Sequence, residues 1–377
     1  SYIDKAKDLV LDADGNSYVT GTSYSIGGFD LVTVKYDTEG VELWRSTYGS
    51  AGIDEVRALV LDEDNNVIIT GARNVSGSDW DIVTVKYDGI TGVELWSNIY
   101  VGSSNYDIGA SLKIDSGNEI IVVGTQQTTV LNSDFIAIKY DSDGVLQWTY
   151  VMDGGMNDDA KLLVLDDLDN IYIGGHSEFD SDDTYIDFRL VKLSPAGVEL
   201  FSNAYDSGFD QLDTPNAIAI DSSGHIILAG QGFTDLINEE DFLTMKVNGS
   251  SGTLMWRRFF AGDGESLDKI NAVVVDRDDN VYVTGKSKSI STAEDFYTIA
   301  YNAFGVELWE ARYSTPDLRY DEPKDIVLNS AGTHLYITGY SFIPGSNNDF
   351  TTIKYSLLGD ELWVVNFDGP SSNSDQA

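Results

Sequence analysis

The chain of 377 residues has 62 acidic and 23 basic side chains, a formal net charge of −39 and no cysteine. This charge repels nucleic acid and anionic membranes, and the lack of thiols excludes disulfides, thiol catalysis and thiolate metal sites. No apolar run approaches the roughly 20 residues of a membrane span, so we expect neither a nucleic-acid partner nor membrane insertion.

The first predicted elements surround the stretch LDADGNSYVTG at residues 11–21. Residues 9–11 and 18–20 are predicted as two short strands, 30–36 as a third, and 41–44 as the start of a fourth. β-Branched and aromatic residues fill these segments, Asp, Gly and Asn separate them, and no helical period is sustained. We call the four strands A to D.

This unit recurs along the chain. A glycine that closes strand B appears at Gly21, Gly71, Gly124, Gly175, Gly230, Gly285 and Gly339. An aromatic residue in strand D appears at Trp44, Trp96, Trp148, Phe201, Trp256, Trp309 and Trp363. A period of about 50 residues with four strands is typical of a propeller blade, whereas the coils of a β-solenoid are usually shorter and more uniform.

The predicted fold is therefore all-β, a seven-bladed β-propeller with four antiparallel strands per blade and no significant helix. Residues 1–368 are predicted as one domain, and residues 369–377 as a flexible tail. The approximate blades are 1–50, 51–103, 104–154, 155–208, 209–263, 264–317 and 318–368.

The repeated phrases D-x-x-G-N-x-Y-x-x-G, D-F/L-x-T-x-K-Y and G-V-E-L-W resemble the bacterial seven-bladed β-propeller (SBBP) repeat family. The resemblance runs from about Asp4 to Phe367, with departures at Phe201, Ala300 and Asn329. It implies the propeller fold and a mostly secreted or surface setting, but no defined activity. Together with the acidic composition, it leads us to expect an extracellular or cell-surface location, as a monomeric domain of a larger surface protein.

The turn between strands A and B invites comparison with a calcium loop. An EF-hand loop that began at Asp12 would need Gly at its sixth position and Glu at its twelfth. Ser17 and Ser23 occupy those positions. The turn is therefore predicted as a hairpin turn made of residues that tolerate left-handed backbone angles.

A lysine near the end of strand C recurs with a turn aspartate on the same side of the predicted blade. The lysines are Lys35, Lys86, Lys139, Lys192, Lys246 and Lys354. The turn aspartates are Asp12, Asp62, Asp115, Asp166, Asp221 and Asp276. A lysine on a packed face needs a partner that offsets its desolvation. Structural Lys–Asp pairs are expected, because a catalytic nucleophile is needed once rather than six times.

Two further aspartate series are predicted to share the opposite face. The strand-A aspartates, eight residues before the turn position, are Asp4, Asp54, Asp107, Asp158, Asp213, Asp268 and Asp321. The strand-C aspartates are Asp30, Asp81, Asp134, Asp187, Asp241, Asp295 and Asp349. Either each carboxylate accepts backbone N–H bonds and fixes its loop, or neighbouring carboxylates converge to bind a cation. The first interpretation implies no cofactor, and calcium is the candidate cation for the second.

A basic residue follows several strand-A aspartates by three positions. These candidate channel-mouth residues are Lys7, Arg57, Lys161 and Lys324, and the other blades have Ala110, Asn216 or Asn271 there. The basic residues would either receive an anion at the channel mouth or neutralise the aspartates locally.

The loops B–C and D–A break the repeat symmetry. The richest are residues 176–183 and 235–240, and apolar residues of the D–A loops are Tyr106, Met156, Phe209, Leu212 and Tyr320. They would form a recognition surface or tuck between blades.

The sequence contains few motifs that indicate a specific catalytic or metal-binding function. The three histidines, His176, His225 and His334, are predicted on different blades, which argues against a histidine metal centre. No nucleophile elbow, P-loop or dinucleotide motif is present. Among 62 acidic residues, a pair at glycosidase spacing arises by chance. Residues 91–96 resemble the tryptophan motif of quinoprotein propellers, which we interpret as shared outer-strand packing.

Three function classes remain. The first is a non-catalytic extracellular binding, adhesion or scaffold module that presents one loop face to a glycan, protein or surface ligand, with or without a cation. The alternative is a carbohydrate-active enzyme, a hydrolase or lyase, that uses carboxylates at the channel mouth. A structural spacer is the third.

Overall fold

A computed structural model describes residues 4–25, 27–49, 52–74, 79–102, 106–129, 132–178, 186–208, 212–233, 240–262, 267–289, 293–315, 319–343 and 347–368. All regular elements in these ranges are β-strands, and no helix there is long and apolar enough to cross a membrane. The predicted tail 369–377, Phe209 and most of the two richest loops lie outside the described residues.

Seven four-stranded sheets are built from strands in chain order. The A strands are β1 (Lys5–Leu11), β5 (Asp54–Leu61), β9 (Asp107–Ile114), β13 (Asp158–Leu165), β17 (Thr214–Ile220), β21 (Lys269–Val275) and β25 (Asp321–Leu328). The B strands are β2 (Ser17–Ser25), β6 (Val67–Asn74), β10 (Ile120–Thr129), β14 (Ile171–Glu178), β18 (Ile226–Phe233), β22 (Val281–Lys288) and β26 (His334–Ile343).

The C strands are β3 (Gly28–Tyr36), β7 (Trp80–Tyr87), β11 (Asn132–Tyr140), β15 (Ile186–Leu193), β19 (Glu240–Val247), β23 (Glu294–Tyr301) and β27 (Asn347–Ser356). The D strands are β4 (Glu42–Tyr48), β8 (Glu94–Tyr100), β12 (Leu146–Met152), β16 (Glu199–Tyr205), β20 (Leu254–Phe260), β24 (Glu307–Tyr313) and β28 (Glu361–Phe367). Each sheet has the order A-B-C-D. The predicted seven-bladed β-propeller with antiparallel blades is confirmed.

The blades group into two compact units. The first comprises residues 1–181 and 191–200, and the second comprises 182–190 and 201–377. Blades one to three lie in the first unit and blades five to seven in the second, while blade four contributes to both. A single domain over residues 1–368 stays a prediction.

Within each unit the core lies between successive blades. In the first unit, Leu31 and Trp44 of blade one form a cluster with Val56 and Val67 of blade two. Strands B and C are buried along most of their length, as expected for strands covered on both faces. Each such aliphatic side chain contributes about 1.5–3 kcal/mol when it leaves water.

The A–B turn closes on its own aspartate. Asp12 Oδ1 accepts the N–H groups of Asp14 at 3.1 Å and Asn16 at 2.8 Å, and Oδ2 accepts Asn16 Nδ2 at 2.8 Å. Gly15 has a φ of 84°, in the left-handed region. Non-glycine residues at this turn position in other blades also have positive φ: Asn65, Asn118, Asp169 and Asp279. The turn is a hairpin turn, as its residues predict.

The repeated lysine and tryptophan join four pairs of successive blades. Lys86 Nζ and Trp96 Nε1 both donate to the carbonyl oxygen of Ser142, in the C–D turn of the following blade, at 3.0 and 3.1 Å. The same arrangement holds for Lys35 and Trp44 on Gly89, Lys139 and Trp148 on Pro195, and Lys246 and Trp256 on Ala303. We call this shared contact the blade latch.

Candidate functional site

The lysines and turn aspartates lie together inside the blades. The Nζ–Oδ2 distances are 2.9 Å for Lys86–Asp62, 2.6 Å for Lys139–Asp115, 2.6 Å for Lys246–Asp221, 3.9 Å for Lys35–Asp12 and 3.7 Å for Lys192–Asp166. Blade six has Ala300 at the lysine position, and in blade seven Lys354 lies over the Tyr336 ring. In these five ion pairs the lysine and aspartate side chains are both largely buried.

The strand-A aspartates bind loop backbone. Asp268 Oδ2 accepts the Gly262 N–H at 2.6 Å, and its Oδ1 accepts the Lys288 N–H at 3.0 Å. One donor follows strand D of the preceding blade, and the other lies at or near the end of strand B. Asp107, Asp213 and Asp321 accept from both positions, and Asp54 and Asp158 accept from one of them. Asp4 is exposed and accepts from Ser23 and Tyr24. In four blades the strand-A aspartate thus holds two backbone segments to the start of the blade.

Four strand-C aspartates lie near the strand-A aspartate of the following blade. Burial, with a smaller contribution from the charge of Asp241, raises the pKa of Asp268 to about 6, although N–H donors oppose the shift. The corresponding pairs are Asp81–Asp107, Asp187–Asp213 and Asp295–Asp321, where burial raises the pKa of the second member to about 6, 7 and 6. Most strand-C aspartates are buried: Asp30, Asp81, Asp134, Asp241, Asp295 and Asp349. Asp187 is half-buried.

Each basic channel-mouth candidate lies at a β-bulge, which its spacing along the sequence did not predict. In every A strand, the ladder with strand B skips one residue, which is a β-bulge. The skipped residues are Lys7, Arg57, Ala110, Lys161, Asn216, Asn271 and Lys324. A bulge redirects its side chain away from the regular alternation of the strand. The sequence does carry a signal for the bulge: the alternation of apolar and polar residues along the A strands shifts by one position there.

In the first unit these bulge residues line cavities. One of about 550 Å³ is lined by Lys7, Arg57, Tyr106, Ile108, Ala110, Thr125, Gln127, Ser133, Asn157, Asp159 and Lys161. A second, of about 800 Å³, shares Lys7 and Arg57 and adds Lys5, Ala6, Thr22, Phe29, Ile53, Asp54, Glu55 and Val56. We call the 550 Å³ space and its lining the basic cavity.

Ion pairs hold two of the basic side chains. Arg57 Nη2 lies 2.7 Å from Glu55 Oε2, and Lys161 Nζ lies 2.9 Å from Asp159 Oδ2. In the second unit, Lys324 Nζ lies 2.6 Å from Glu322 Oε1 in the same arrangement. The partner carboxylates are therefore not the strand-A aspartates, whose neutralisation the sequence analysis expected; each belongs to the residue that follows the strand-A aspartate in the chain.

His176 adjoins the basic cavity through its cross-strand neighbour Asp159. Burial would raise the pKa of Asp159, but the charge of Lys161 and a 2.5 Å hydrogen bond from Thr125 hold it below its usual range. Burial, with the Lys161 charge, lowers the pKa of His176 to about 4, so its imidazole is neutral at pH 7. His225 and His334 lie in other blades, as predicted.

The apolar loop residues lie in different surroundings. Tyr106 lines the basic cavity and makes an edge-to-face contact with Trp80, with ring centroids 6.5 Å apart. Tyr320 lines another cavity of about 550 Å³ with Arg319, whose guanidinium lies 4.3 Å from the centroid of the Phe342 ring. Leu212 forms a backbone bridge with Ile186.

Within the described residues, one group of side chains has the spacing of a metal site. One oxygen each from Asp187, Asp206 and Asp213 lies within 4.8 Å of the others. Asp187 and Asp213 belong to the predicted carboxylate series, whereas sequence reasoning missed Asp206. Asp206 follows a D strand in a position that is not acidic in every blade, so no repeat marked it.

The repeat matches a known family of propeller repeats. The beta-propeller repeat of the SBBP family matches residues 256–290, from the fourth strand of blade five past the second strand of blade six. The chain contains an SBBP-type repeat within its seven-bladed β-propeller.

A curated relative of this SBBP-repeat propeller is an uncharacterized WD repeat-containing protein, L264, of Acanthamoeba polyphaga mimivirus. It is 23% identical over 386 residues, covering 88% of this chain and 24% of its own length. The chain thus spans about a quarter of that relative.

Solved propellers of very different activity are similar in fold. They include the quinohemoprotein alcohol dehydrogenase of Comamonas testosteroni, with a TM-score of 0.59, 12% identity, and coverage of 96% of this chain and 67% of that one. Sqt1 of Chaetomium thermophilum has a TM-score of 0.57, 10% identity, and coverage of 98% and 84%. A polysaccharide lyase, PL25 ulvan lyase, has a TM-score of 0.54, 10% identity, and coverage of 97% and 92%. Propellers of this fold include enzymes and non-enzymes.

Proposed function

We propose that this SBBP-repeat propeller is a non-catalytic binding module that holds an acidic polysaccharide in the basic cavity. The observation that carries the proposal is the placement of three basic bulge residues, Lys7, Arg57 and Lys161, around one cavity in a chain of net charge −39. Elsewhere the field of such a chain repels anions, so a local cluster of cations is where an anionic group would bind.

The rest of the lining suits a polyhydroxylated ligand. Gln127 and Asn157 supply amide donors and acceptors, and Tyr106 supplies an aromatic ring with 46% of its surface exposed. A few polar groups placed in a partly apolar cleft are the usual composition of a small-molecule site. The ion pairs with Glu55 and Asp159 hold the cationic groups in place, ready to contact carboxylate or sulfate groups.

The setting that we propose is extracellular, on a cell surface, within a longer protein that uses the propeller for adhesion or as a scaffold. The acidic composition and the SBBP repeat support this location, and the short coverage of the mimiviral relative accords with further domains. We choose acidic saccharides as probes because one propeller of similar fold is described as bound to -[GlcA(1-4)Rha3S]-.

Binding of oligouronates and of neutral oligosaccharides of the same length, measured by calorimetry with EDTA present, tests the proposal. We expect the acidic series alone to bind, with an affinity that falls as salt rises. Arg57→Gln should weaken binding by roughly tenfold or more, the loss typical of one charge-assisted contact.

The matched control is Lys324→Gln, which removes a basic bulge residue that is paired in the same way but lies in the second unit. Binding should be unchanged in this variant. Equal weakening by both substitutions, or no binding of any acidic saccharide by the folded protein, would refute the proposal.

A second candidate function, hydrolysis or elimination on the same ligand, is favoured by one observation. Asp159 lines the cavity beside the neutral imidazole of His176, so a carboxylate and a general base adjoin the ligand space. Prolonged incubation with the bound oligouronate, followed by mass spectrometry, separates the two functions. Shorter or unsaturated products that disappear in His176→Ala would replace the non-catalytic proposal with the enzymatic one.

A further inference from the structure

We infer that the cavity of about 800 Å³ lined by residues 5–7, 22, 29 and 53–57 is a second subsite for the acidic polysaccharide, so that one saccharide chain lies across it and the basic cavity. We call it the blade-one cavity. The inference rests on the proposed function and extends it: it gives the ligand a minimum length, and it makes Lys5 a residue that favours longer chains.

The two cavities share part of their lining. Lys7 and Arg57 line both of them. Both residues lie at β-bulges, Lys7 in strand A of blade one and Arg57 in strand A of blade two. Each cavity alone has a volume within the range of about 300–1,000 Å³ that is usual for a site of one small ligand. A saccharide chain that passes the two shared side chains therefore has two such spaces to occupy.

The same backbone arrangement borders both cavities. Ile53, directly before β5, forms a parallel bridge with Phe29 of β3. Tyr106, directly before β9, forms the same bridge with Trp80 of β7. Phe29 and Trp80 each precede a strand-C aspartate, and the other two residues each precede a strand-A aspartate, so the two bridges occupy equivalent positions of the repeat. Successive blade junctions thus present similar walls, which suits a ligand that itself repeats.

The apolar wall of the blade-one cavity suits the face of a sugar ring. Phe29 and Ile53 line it, and Ile53 has 47% of its surface exposed. An edge-to-face contact with Tyr24 holds the Phe29 ring, with ring centroids 5.4 Å apart. A pyranose ring carries C–H groups on its faces and polar groups around its edge. It can therefore cover this wall while its hydroxyl groups stay in contact with water.

Lys5 supplies the charge that an acidic sugar needs in the blade-one cavity. It lines the cavity and is exposed, and no carboxylate of the described residues forms an ion pair with it. The two acidic residues of the lining are engaged elsewhere. Asp54 is fully buried and accepts the Asn74 N–H at 3.0 Å, and Glu55 forms its ion pair with Arg57. The Lys5 ammonium group is therefore available to a carboxylate or sulfate group of the ligand.

A chain that fills both cavities gains affinity without any change in the individual contacts. Once one end is bound, binding of the other end is intramolecular, and linkage of this kind raises affinity by up to about 10²–10⁴-fold. We expect a smaller gain, of roughly tenfold or more, because a longer saccharide loses more conformational freedom when it binds.

The experiment extends the calorimetry in EDTA to a size series of oligouronates, from the disaccharide to the octasaccharide. In the parent protein we expect the affinity to rise with length by roughly tenfold or more and then to level off, with one octasaccharide bound per chain. In Lys5→Gln the affinity for the octasaccharide should fall by roughly tenfold, the loss typical of one charge-assisted contact. The affinity for the disaccharide should be unchanged, because the disaccharide fills the basic cavity alone.

Lys269 provides the matched control. It occupies the position of Lys5 in blade six, as the first residue of β21, and lies in the second unit. Lys269→Gln removes the same charge and should bind every oligomer as the parent protein does. Ile53→Ser tests the apolar wall, and its exposed side chain can be replaced without opening the core. This variant should lose part of the gain with length but keep its salt dependence, whereas Lys5→Gln should make octasaccharide binding less sensitive to salt.

Equal affinity of the parent protein for the disaccharide and the octasaccharide would overturn the inference, as would two octasaccharides bound per chain. So would full length dependence in Lys5→Gln, or an equal loss of it in Lys5→Gln and Lys269→Gln. In each of these cases the proposed function stands, because acidic oligomers still bind. If no acidic oligomer binds, the proposed function fails and this inference fails with it. Circular dichroism of Lys5→Gln establishes that weaker binding does not come from unfolding.

Discussion

At the residue scale, the partner of each turn aspartate depends on one position in strand B. Where this residue is isoleucine, as at Ile68, the lysine pairs directly with the aspartate, with 2.9 Å between Lys86 and Asp62. Where it is tyrosine, the phenol also donates to the aspartate, and the lysine lies over the ring at a longer distance from the carboxylate. The Tyr18 hydroxyl is 3.2 Å from Asp12, and Lys35 is 4.6 Å from the Tyr18 centroid.

In blade six, tyrosine replaces lysine completely as the partner of the turn aspartate. Tyr282 donates to Asp276 at 2.9 Å, and Ala300 replaces the lysine. The repeated lysine and aspartate predicted a pair in every such blade, because both residues recur at fixed spacing. The exchange with tyrosine was not predictable, because it depends on which of two donors reaches one buried oxygen.

Removal of Lys86 should therefore cost more than removal of Lys35. In Lys86→Ala, the buried Asp62 loses its direct partner, which costs about 3–5 kcal/mol, the range for breaking a buried ion pair. In Lys35→Ala, Asp12 keeps the Tyr18 hydrogen bond, and we expect a loss of about 1–2 kcal/mol. Urea unfolding followed by tryptophan fluorescence measures both.

The control transplants the pair of blade six. Ile68 lies directly opposite Lys86, as Tyr282 lies opposite Ala300. The double variant Ile68→Tyr with Lys86→Ala should recover at least half of the stability that Lys86→Ala loses, because the phenol replaces the ammonium as donor to Asp62. Equal costs for the two lysine variants would contradict this account.

At the element scale, the blades are joined by the blade latch and by close contact between a tryptophan and a glycine. Gly144 of the C–D turn has a φ of 84°, and a Cβ there would lie 2.7 Å from the Trp96 ring. The same contact recurs at Gly92, Gly197, Gly305 and Gly359. The strands, their turns and the period were predictable because local residues determine them. The latch joins Lys86 to a residue 56 positions away, so only the packed blades show it.

Gly144→Ala should be far more destabilising than a glycine substitution in an open turn. The left-handed backbone costs an L-residue about 1–2 kcal/mol, and overpacking against Trp96 adds about 1–3 kcal/mol. Gly224, with a φ of 74° and no atom within 4 Å of its added Cβ, provides the control. Gly224→Ala should show only the backbone cost. Comparable losses in both variants, measured by chemical denaturation, would show that the tryptophan contact contributes nothing.

At the scale of the whole molecule, the net charge of −39 is distributed unevenly. Buried aspartates gather at the blade junctions, while three basic residues surround the basic cavity. The sequence predicted both carboxylate series and the basic positions, because each recurs with the repeat. It did not predict that Asp241 of one blade faces Asp268 of the next, because the partners lie on different strands of different blades. Asp206 was missed because it has no counterpart in most blades.

These junction aspartates should make the protein less stable as pH rises through the weakly acidic range. Burial raises the pKa of Asp107, Asp268 and Asp321 to about 6, above the ordinary value of 3.8. Between these two values the folded state binds more protons than the unfolded state, so the free energy of unfolding falls as pH rises. Above about pH 6 the protein has lost all of this stability. Below about pH 4 none of it is lost, because the aspartates are protonated in both the folded and the unfolded state.

Asp268→Asn isolates one such group. From about pH 4 to about pH 7 the parent protein should lose about 2 kcal/mol more unfolding free energy than the variant, because the variant has no carboxyl group to ionise at this position. Urea denaturation in EDTA and about 0.5 M NaCl measures it, since salt screens the diffuse repulsion of the acidic surface. Asp14→Asn removes a carboxylate from an exposed turn and controls for the loss of charge alone. Parallel pH profiles for the parent protein and Asp268→Asn would mean that Asp268 ionises in the folded protein as it does in the unfolded chain.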